Sequence, residues 1–179
     1  MSLPIRPTAK TLLSALLCVF LIAVGGKAEA PVPDYEWKAA ALPKFAQFVK
    51  WPPQAFPNPT APITIGVLGD DPVADTLPGL LPGETVGKRK LAMKRSRQAD
   101  DLKGCQIVFI CRSEKSRLAG LLSSFQTNVL TVSDIEHFTS QGGIIGFKTE
   151  GSKVRFEINN DAAKRAGLEI KSGLLKMGS

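Results

Sequence analysis

The chain has 179 residues, 44% of them hydrophobic, and its 23 basic and 16 acidic side chains give a formal net charge of +7. This length suits one ordinary domain with a full core. A single histidine and three cysteines provide neither a spaced set of zinc ligands nor a catalytic constellation that we can assemble. We therefore expect no metal, no cofactor and no enzymatic activity.

The first residues have the layout of a secretory signal peptide. Cations precede an apolar run over residues 12–24, and small residues follow over 26–30. The run, about 13 residues long, is shorter than the ~20 that a spanning helix needs, although a retained anchor is the alternative. Because a rigid proline follows Ala30 and fits a peptidase cleft poorly, we expect cleavage after Ala28. Residues 1–28 are thus the predicted signal peptide.

Export of the chain decides which partners its charge favours. Removal of residues 1–28 takes away three cations and no acid, so the formal charge falls from +7 to +4. Cationic surfaces outside the cytoplasm more often face anionic membranes, polymers or acidic protein patches. We expect residues 29–179 to form a single exported domain with no nucleic-acid partner.

The first half of this domain indicates helix, loop, strand and helix. Apolar residues recur at intervals of three and four over 35–51 and predict a helix, which Pro43 should kink or restart. Five prolines over 52–62 predict an extended loop. Residues 63–68 form a predicted strand, and two aspartates before a proline then begin a short helix that Pro78 should end.

Residues 88–97 contain six cations, which is typical of a binding tract. Leu91 and Met93 alternate with polar or small residues, which indicates a half-buried or edge strand. Lysines on such an edge also discourage unwanted strand pairing. A solvated edge is the favoured interpretation, and an anion-binding role is the alternative.

Residues 105–111 form a predicted buried strand with a cysteine at each end. An extended chain separates Cys105 from Cys111 by roughly 20 Å, whereas a disulfide needs Cα atoms within about 7 Å. They should therefore not pair with each other. Either both are buried thiols that serve as small apolar side chains, or Cys111 forms a bridge to another molecule in an oxidising compartment.

Two helices and a strand are predicted next. Ser113 can cap a helix whose apolar face lies over 118–125, and residues 129–132 form a short buried strand. The Ser-x-x-Glu spacing that starts at Ser133 predicts a capping box and a short helix. The glycine pair at 142–143 should end that helix.

Residues 144–148 and 153–158 predict an antiparallel hairpin with Glu150 and Gly151 as its turn. This register places Phe147 opposite Val154 and divides the side chains into two faces. The inner face is apolar. The outer face holds Ile144, Lys148, Lys153, Arg155 and Glu157.

The C-terminal residues complete the fold prediction. Asn160 can cap a helix that runs to Leu174 and Leu175 and is weakened at Gly167. Strands separated by helices, with a hairpin near the end, predict an α/β fold. We expect a Rossmann-like or flavodoxin-like three-layer sandwich, whose mixed sheet ends in a C-terminal antiparallel hairpin.

A domain without reactive groups acts by burying area on a partner. Our candidate partner-binding residues are Ile144, Arg155 and Glu157 on the outer hairpin face, with Trp51 as an aromatic anchor. A small-ligand-binding module is the alternative, and its ligand would occupy the crevice near residues 69–71 at the strand ends. A catalytic role for the only histidine, His137, is the weaker alternative.

Four stretches together resemble the YfiR family of exported bacterial regulators. They are YEWKAAALPKFAQFVKWP (35–52), IGVLGDDP (65–72), GCQIVFI (104–110) and a composite of VLTVSD (129–134), GGIIGF (142–147), KVRFEIN (153–159) and AAKRAGL (162–168). The resemblance covers nearly all of the mature chain, although Pro43 replaces an expected large aromatic residue.

This resemblance implies a periplasmic, non-enzymatic protein that represses a membrane diguanylate cyclase. Such a protein binds the periplasmic sensory portion of its target and lowers cyclic di-GMP signalling and biofilm formation. The resemblance further implies a homodimer and, in some systems, an outer-membrane lipoprotein that sequesters it. It implies no catalytic residues and no cofactor.

Overall fold

The computed structural model of the chain describes residues 33–150 and 153–178. The predicted signal peptide, 1–28, and its cleavage site lie outside the described residues. Within the described ranges, no helix is long and apolar enough to cross a bilayer.

The described residues form strands and helices in alternation. The strands are β1 (Val49–Lys50), β2 (Ile63–Leu68), β3 (Thr85–Val86), β4 (Arg89–Ser96), β5 (Ile107–Ile110), β6 (Leu130–Ser133), β7 (Ile145–Glu150), β8 (Lys153–Ile158) and β9 (Glu169–Ile170). The helices are α1 (Asp34–Phe48), α2 (Val73–Leu80), α3 (Leu118–Ser124), α4 (Asn160–Arg165) and α5 (Ser172–Met177). Short 3-10 turns lie at Pro53–Ala55, Ala99–Leu102 and Arg112–Arg117.

The main sheet has the strand order β3-β4-β2-β5-β6-β7-β8. Its central strands, from β4 to β7, pair in parallel, whereas β3 and β8 pair antiparallel at the two ends. Numbered by their place in the chain, the parallel strands follow the order 2-1-3-4-5 of flavodoxin-like folds. The predicted mixed sheet with a C-terminal antiparallel hairpin is confirmed. A separate antiparallel pair joins β1 to β9.

Both faces of the sheet are covered, as the three-layer prediction requires. Ile63, Ile65 and Val67 on β2 point into a core shared with α1, α2, α4 and α5. Leu68, at the end of the same strand, belongs to a second core that α3 covers. This alternation follows the two-residue period of a strand, and the burial of both faces explains the continuous apolar runs.

Two prolines lie inside helices that the sequence predicted they would interrupt. α1 runs from Asp34 through Pro43 to Phe48, so Pro43 does not restart it. α2 likewise contains Pro78 and ends at Leu80. Pro43 is buried with the residues around it, and tertiary packing therefore outweighs the helix-breaking tendency of proline.

The predicted caps at Ser113 and Ser133 are wrong. The Ser113 hydroxyl accepts a hydrogen bond from Asp70 N at 3.2 Å. The Ser133 hydroxyl donates to the Ile110 carbonyl at 2.7 Å and accepts from Ile135 N at 3.0 Å. The residues after Ser133 form turns rather than a helix, because its side chain links two strand ends.

Apart from Ile144, the hairpin residues lie on their predicted faces, but the strand register is shifted. Phe147 lies opposite Phe156, and Glu150 lies opposite Lys153, so the predicted pairing of Phe147 with Val154 is wrong by two residues. A shift of two preserves which side chains share a face. The expected turn at Glu150 is also wrong, because Glu150 is the last residue of β7; Gly151 lies outside the described residues.

The long C-terminal helix is wrong as well. Asn159, rather than Asn160, caps α4, since its Oδ1 accepts from Ala162 N at 2.9 Å. Gly167 then adopts a φ of +75°, which ends the helix in the conformation that glycine favours. The chain continues through β9 into the separate helix α5.

Candidate functional site

The carboxyl ends of β2 and β5 meet where the strand order reverses, which is the usual ligand crevice of an open α/β sheet. Gly69 lies there with a φ of +101°. A Cβ atom on Gly69 would lie 2.6 Å from Ser113 Oγ and 2.8 Å from Glu114 Oε1. The protein's own side chains therefore occupy the space in which the alternative small-ligand hypothesis places its ligand.

The two aspartates beside this crevice already have partners. Asp71 Oδ1 accepts from Val73 N at 2.9 Å and holds the start of α2. Burial raises the pKa of Asp71 above its usual value. Asp70 pairs with Arg97 at 2.8 Å and with Arg95 at 3.3 Å, and chiefly the Arg97 hydrogen bond lowers the pKa of Asp70.

A buried ion cluster lies at the same edge of the sheet. Lys38 on α1 has a side chain that is 5% exposed, and its Nζ contacts Asp134 Oδ2 at 2.7 Å and Asp34 Oδ2 at 2.9 Å. Arg112 reaches the same Asp134 oxygen at 3.2 Å. Burial lowers the pKa of Lys38, but the hydrogen bonds to Asp134 and Asp34 outweigh it, so the pKa is raised. The cluster joins α1 to the end of β6.

No reactive constellation is visible in residues 33–150 and 153–178. No group of three or more histidine, cysteine or acidic residues there could hold a metal ion. His137 is exposed, on the turn after β6. The arrangement can therefore form contacts, but the described part of the chain does not assemble groups for proton transfer or nucleophilic attack.

Both predicted charged contacts on the outer hairpin face are found on β8. Arg155 is exposed, and its Nε lies 3.2 Å from Glu150 Oε2. Glu157 is half-buried and contacts Lys148 Nζ and Thr139 Oγ1. Burial raises the pKa of Glu157, but these two contacts outweigh it and lower the pKa. Arg155 is thus the accessible member of the pair.

The other two candidate contacts are not at the surface. Ile144 is only 3% exposed and Trp51 only 9%, so the expected places of Ile144 on the outer face and of Trp51 as an exposed anchor are wrong. Ile144 precedes β7 and packs into the core. The exposed tryptophan is instead Trp37 on α1, at 38%, whose ring packs edge-on against Phe147 with centroids 5.8 Å apart.

The cationic tract forms β4, next to the short edge strand β3. Arg89 stacks on Phe56 at 3.6 Å and donates to the Ala61 carbonyl at 2.5 Å. Asp70 and Asp75 bind Arg95. Much of the positive charge of the tract therefore has partners within the domain. This supports the interpretation as a solvated edge rather than as an anion-binding site.

Cys105 and Cys111 are both free and buried. Burial raises the pKa of the Cys105 thiol and of the Cys111 thiol. Low exposure and little thiolate make both unreactive. This arrangement supports the interpretation of Cys105 and Cys111 as buried apolar side chains and leaves Cys111 without an accessible sulfur for bridging.

Comparison with known proteins gives one family. The sequence pattern of the YfiR/HmsC-like family matches residues 35–179. A search of curated proteins found no match for the chain. Among solved structures, a conserved domain protein from Vibrio cholerae O1 biovar El Tor is 14% identical with a TM-score of 0.48, and the match covers 81% of this chain and 59% of that protein.

Proposed function

Since the chain belongs to the YfiR/HmsC-like family of periplasmic diguanylate cyclase regulators, we propose that it binds the periplasmic sensory portion of a membrane diguanylate cyclase and represses it. Cyclic di-GMP signalling and biofilm formation would fall as a result. The family match over residues 35–179 is the observation that carries this proposal. A homodimer, and sequestration by an outer-membrane lipoprotein, are further parts of it.

Repression requires that the protein bind the inactive state of the cyclase more tightly than the active state. A shift from about 99% active to about 99% inactive needs a difference in affinity of about 10⁴-fold. Protein interfaces of the usual size bury about 1,600 Å² in total. An interface of that size can provide the binding free energy that this difference in affinity requires. No chemistry by the regulator is needed.

The hairpin provides the docking surface of this proposal. Exposed charges lie along its half nearest the turn, on Lys148, Glu150, Lys153 and Arg155. Trp37 contacts the opposite face of the hairpin through Phe147. A partner that grips the hairpin would meet an aromatic anchor on one side and paired charges on the other. Of these residue types, tryptophan and arginine are enriched at interface hot spots.

The test is binding of the purified domain, residues 29–179, to the periplasmic portion of a diguanylate cyclase from the same genome. Because Arg155 and Trp37 would lie at the interface centre, Arg155→Glu and Trp37→Ala should each weaken binding about tenfold or more. The matched control is Lys164→Glu, the same charge change at an exposed position of α4. Equal affinity of all variants would exclude the hairpin, and no binding by the wild-type domain would exclude the proposed target.

A further inference from the structure

The outer edge of β4 is open over part of its length. Leu91 N donates to Glu84 O at 3.3 Å, on the β3 side, whereas Ser96 O accepts from Gly69 N at 2.9 Å, on the β2 side. Successive residues of a strand face opposite neighbours, so the N–H and C=O groups of Met93 and Arg95 point outward. No other described residue pairs with these four backbone groups.

The side chains along this edge differ between the two faces of the sheet. Leu91 and Met93 lie on the face of the larger core. Lys90 and Lys94, two strand periods apart, lie on the other face and are exposed, and no described carboxylate pairs with them. Because β3 already covers Lys90 and Leu91, an added strand would lie beside Met93 and the ion-paired Arg95 on one face. On the other face it would meet Lys94.

We propose that the open edge of β4 is a strand-addition site for an extended segment of a partner protein in which acidic and apolar residues alternate. The backbone groups of Met93 and Arg95 would provide the main-chain hydrogen bonds, and the exposed Lys94 the charge selectivity. This inference rests on the proposed function, because the partner is the periplasmic portion of the cyclase. The segment added at β4 would be separate from the part of the cyclase that contacts the hairpin, since β4 and the hairpin lie toward opposite ends of the sheet.

Charge favours an acidic segment of the partner over a second copy of the chain as the occupant of this edge. Antiparallel self-pairing that joins Met93 of one copy to Arg95 of the other places Lys94 opposite Lys94. Like charges directly opposite each other destabilise a strand pair, and edge lysines prevent self-association for the same reason. An acidic strand removes that repulsion.

The main experiment measures binding of the cyclase's periplasmic portion to Arg95→Pro and Arg95→Ala. Both variants lose the same ion pairs, but only proline removes the outward N–H, and proline is tolerated at an edge whose N–H faces solvent. Arg95→Pro should bind about tenfold more weakly than Arg95→Ala, because one interface hydrogen bond is lost. Lys94→Glu should weaken binding by a similar factor or more, while Lys164→Glu should not.

Amide hydrogen exchange of the unmutated domain gives a second measurement that no folding defect can disturb. Exchange at residues 91–96 should slow on addition of the cyclase portion. If wild-type and variant domains bind equally and exchange is unchanged, strand addition at β4 is wrong and the proposed function stands. If the wild type does not bind at all, both proposals fail. Protection of 91–96 that grows with concentration of the domain alone would identify self-pairing instead and overturn the acidic occupant.

Discussion

Charged residues at the carboxyl edge of the sheet and on the outer hairpin face have opposite surroundings. Lys38 and Asp134 meet in the interior, with side chains 5% and 7% exposed, whereas Arg155 and Glu150 meet in solvent, at 54% and 61%. A buried charge that loses its partner is costly, while an exposed pair contributes little. The same residue types therefore hold the fold together in one region and remain available for docking in the other.

The largest loss of stability should come from Lys38→Met. It leaves the Asp134 carboxylate buried with only the exposed Arg112 as a charged partner, and breaking a buried pair costs about 3–5 kcal/mol. Urea denaturation of the purified domain measures this loss of unfolding free energy.

Lys50→Met is the matched control, since Lys50 pairs with Glu169 at 3.1 Å in solvent and should cost less than about 1 kcal/mol. The double variant Lys38→Met with Asp134→Leu should be more stable than Lys38→Met alone, because both buried charges are then gone. Equal losses for Lys38→Met and Lys50→Met would contradict the division between the two regions.

An intermediate effect on stability is expected at Glu157, which is half-buried. Its exposure lies between that of the buried Lys38–Asp134 pair and that of the exposed Arg155–Glu150 pair. Glu157→Gln removes the charge that Lys148 and Thr139 contact and should cost about 1–2 kcal/mol at neutral pH. The folded-state pKa of Glu157 is lowered, so its stabilisation is present above the unfolded pKa of about 4.3 and is lost as pH falls through the folded pKa. The difference between wild type and variant should shrink below about pH 4, and a constant difference would argue against the ionic contact.

Asp71 should behave with the opposite sign. Burial raises the folded-state pKa of Asp71. Its contribution to the free energy of unfolding is therefore fully present below the unfolded pKa of about 3.9 and is lost as pH rises through the folded pKa. Asp71→Asn keeps an oxygen for Val73 N and carries no charge. Denaturation curves should show the variant gaining stability relative to wild type as pH rises from about 3 to 7. If the variant instead lost stability relative to wild type over that pH range, the raised pKa of Asp71 would be contradicted.

The smallest effect on stability is expected at Arg155. Arg155→Ala removes only an exposed ion pair and should change the unfolding free energy by less than about 1 kcal/mol. Binding to the cyclase should nevertheless weaken, which separates recognition from folding. A variant that loses stability and binding in parallel would show that Arg155 acts through the fold.

The sequence predicted what depends on local period and missed what depends on distant partners. The apolar run at 107–110 and the alternation along β7 and β8 identified the sheet and its buried faces, because side-chain direction has a period of two. The failure at Ser133 has a physical cause: its hydroxyl bonds to Ile110, 23 residues away. No local pattern contains that contact.

The candidate site was predicted in part for the same reason. Arg155 is exposed as its strand parity requires, but Ile144 lies one residue before β7, where parity no longer determines exposure. Trp37 and Trp51 look alike in sequence, but Trp37 on α1 is exposed whereas Trp51, just after β1, packs into the larger core. Lys38 gave a signal that was overlooked, since a cation between apolar helical residues needs a buried partner.

The most direct test measures cyclic di-GMP formation by the full-length membrane cyclase, reconstituted in nanodiscs, as purified domain is added. The proposed docking predicts a rate that falls saturably with added wild-type domain and falls less with Arg155→Glu at the same concentration. A rate that the wild-type domain leaves unchanged at saturating concentrations would contradict the account.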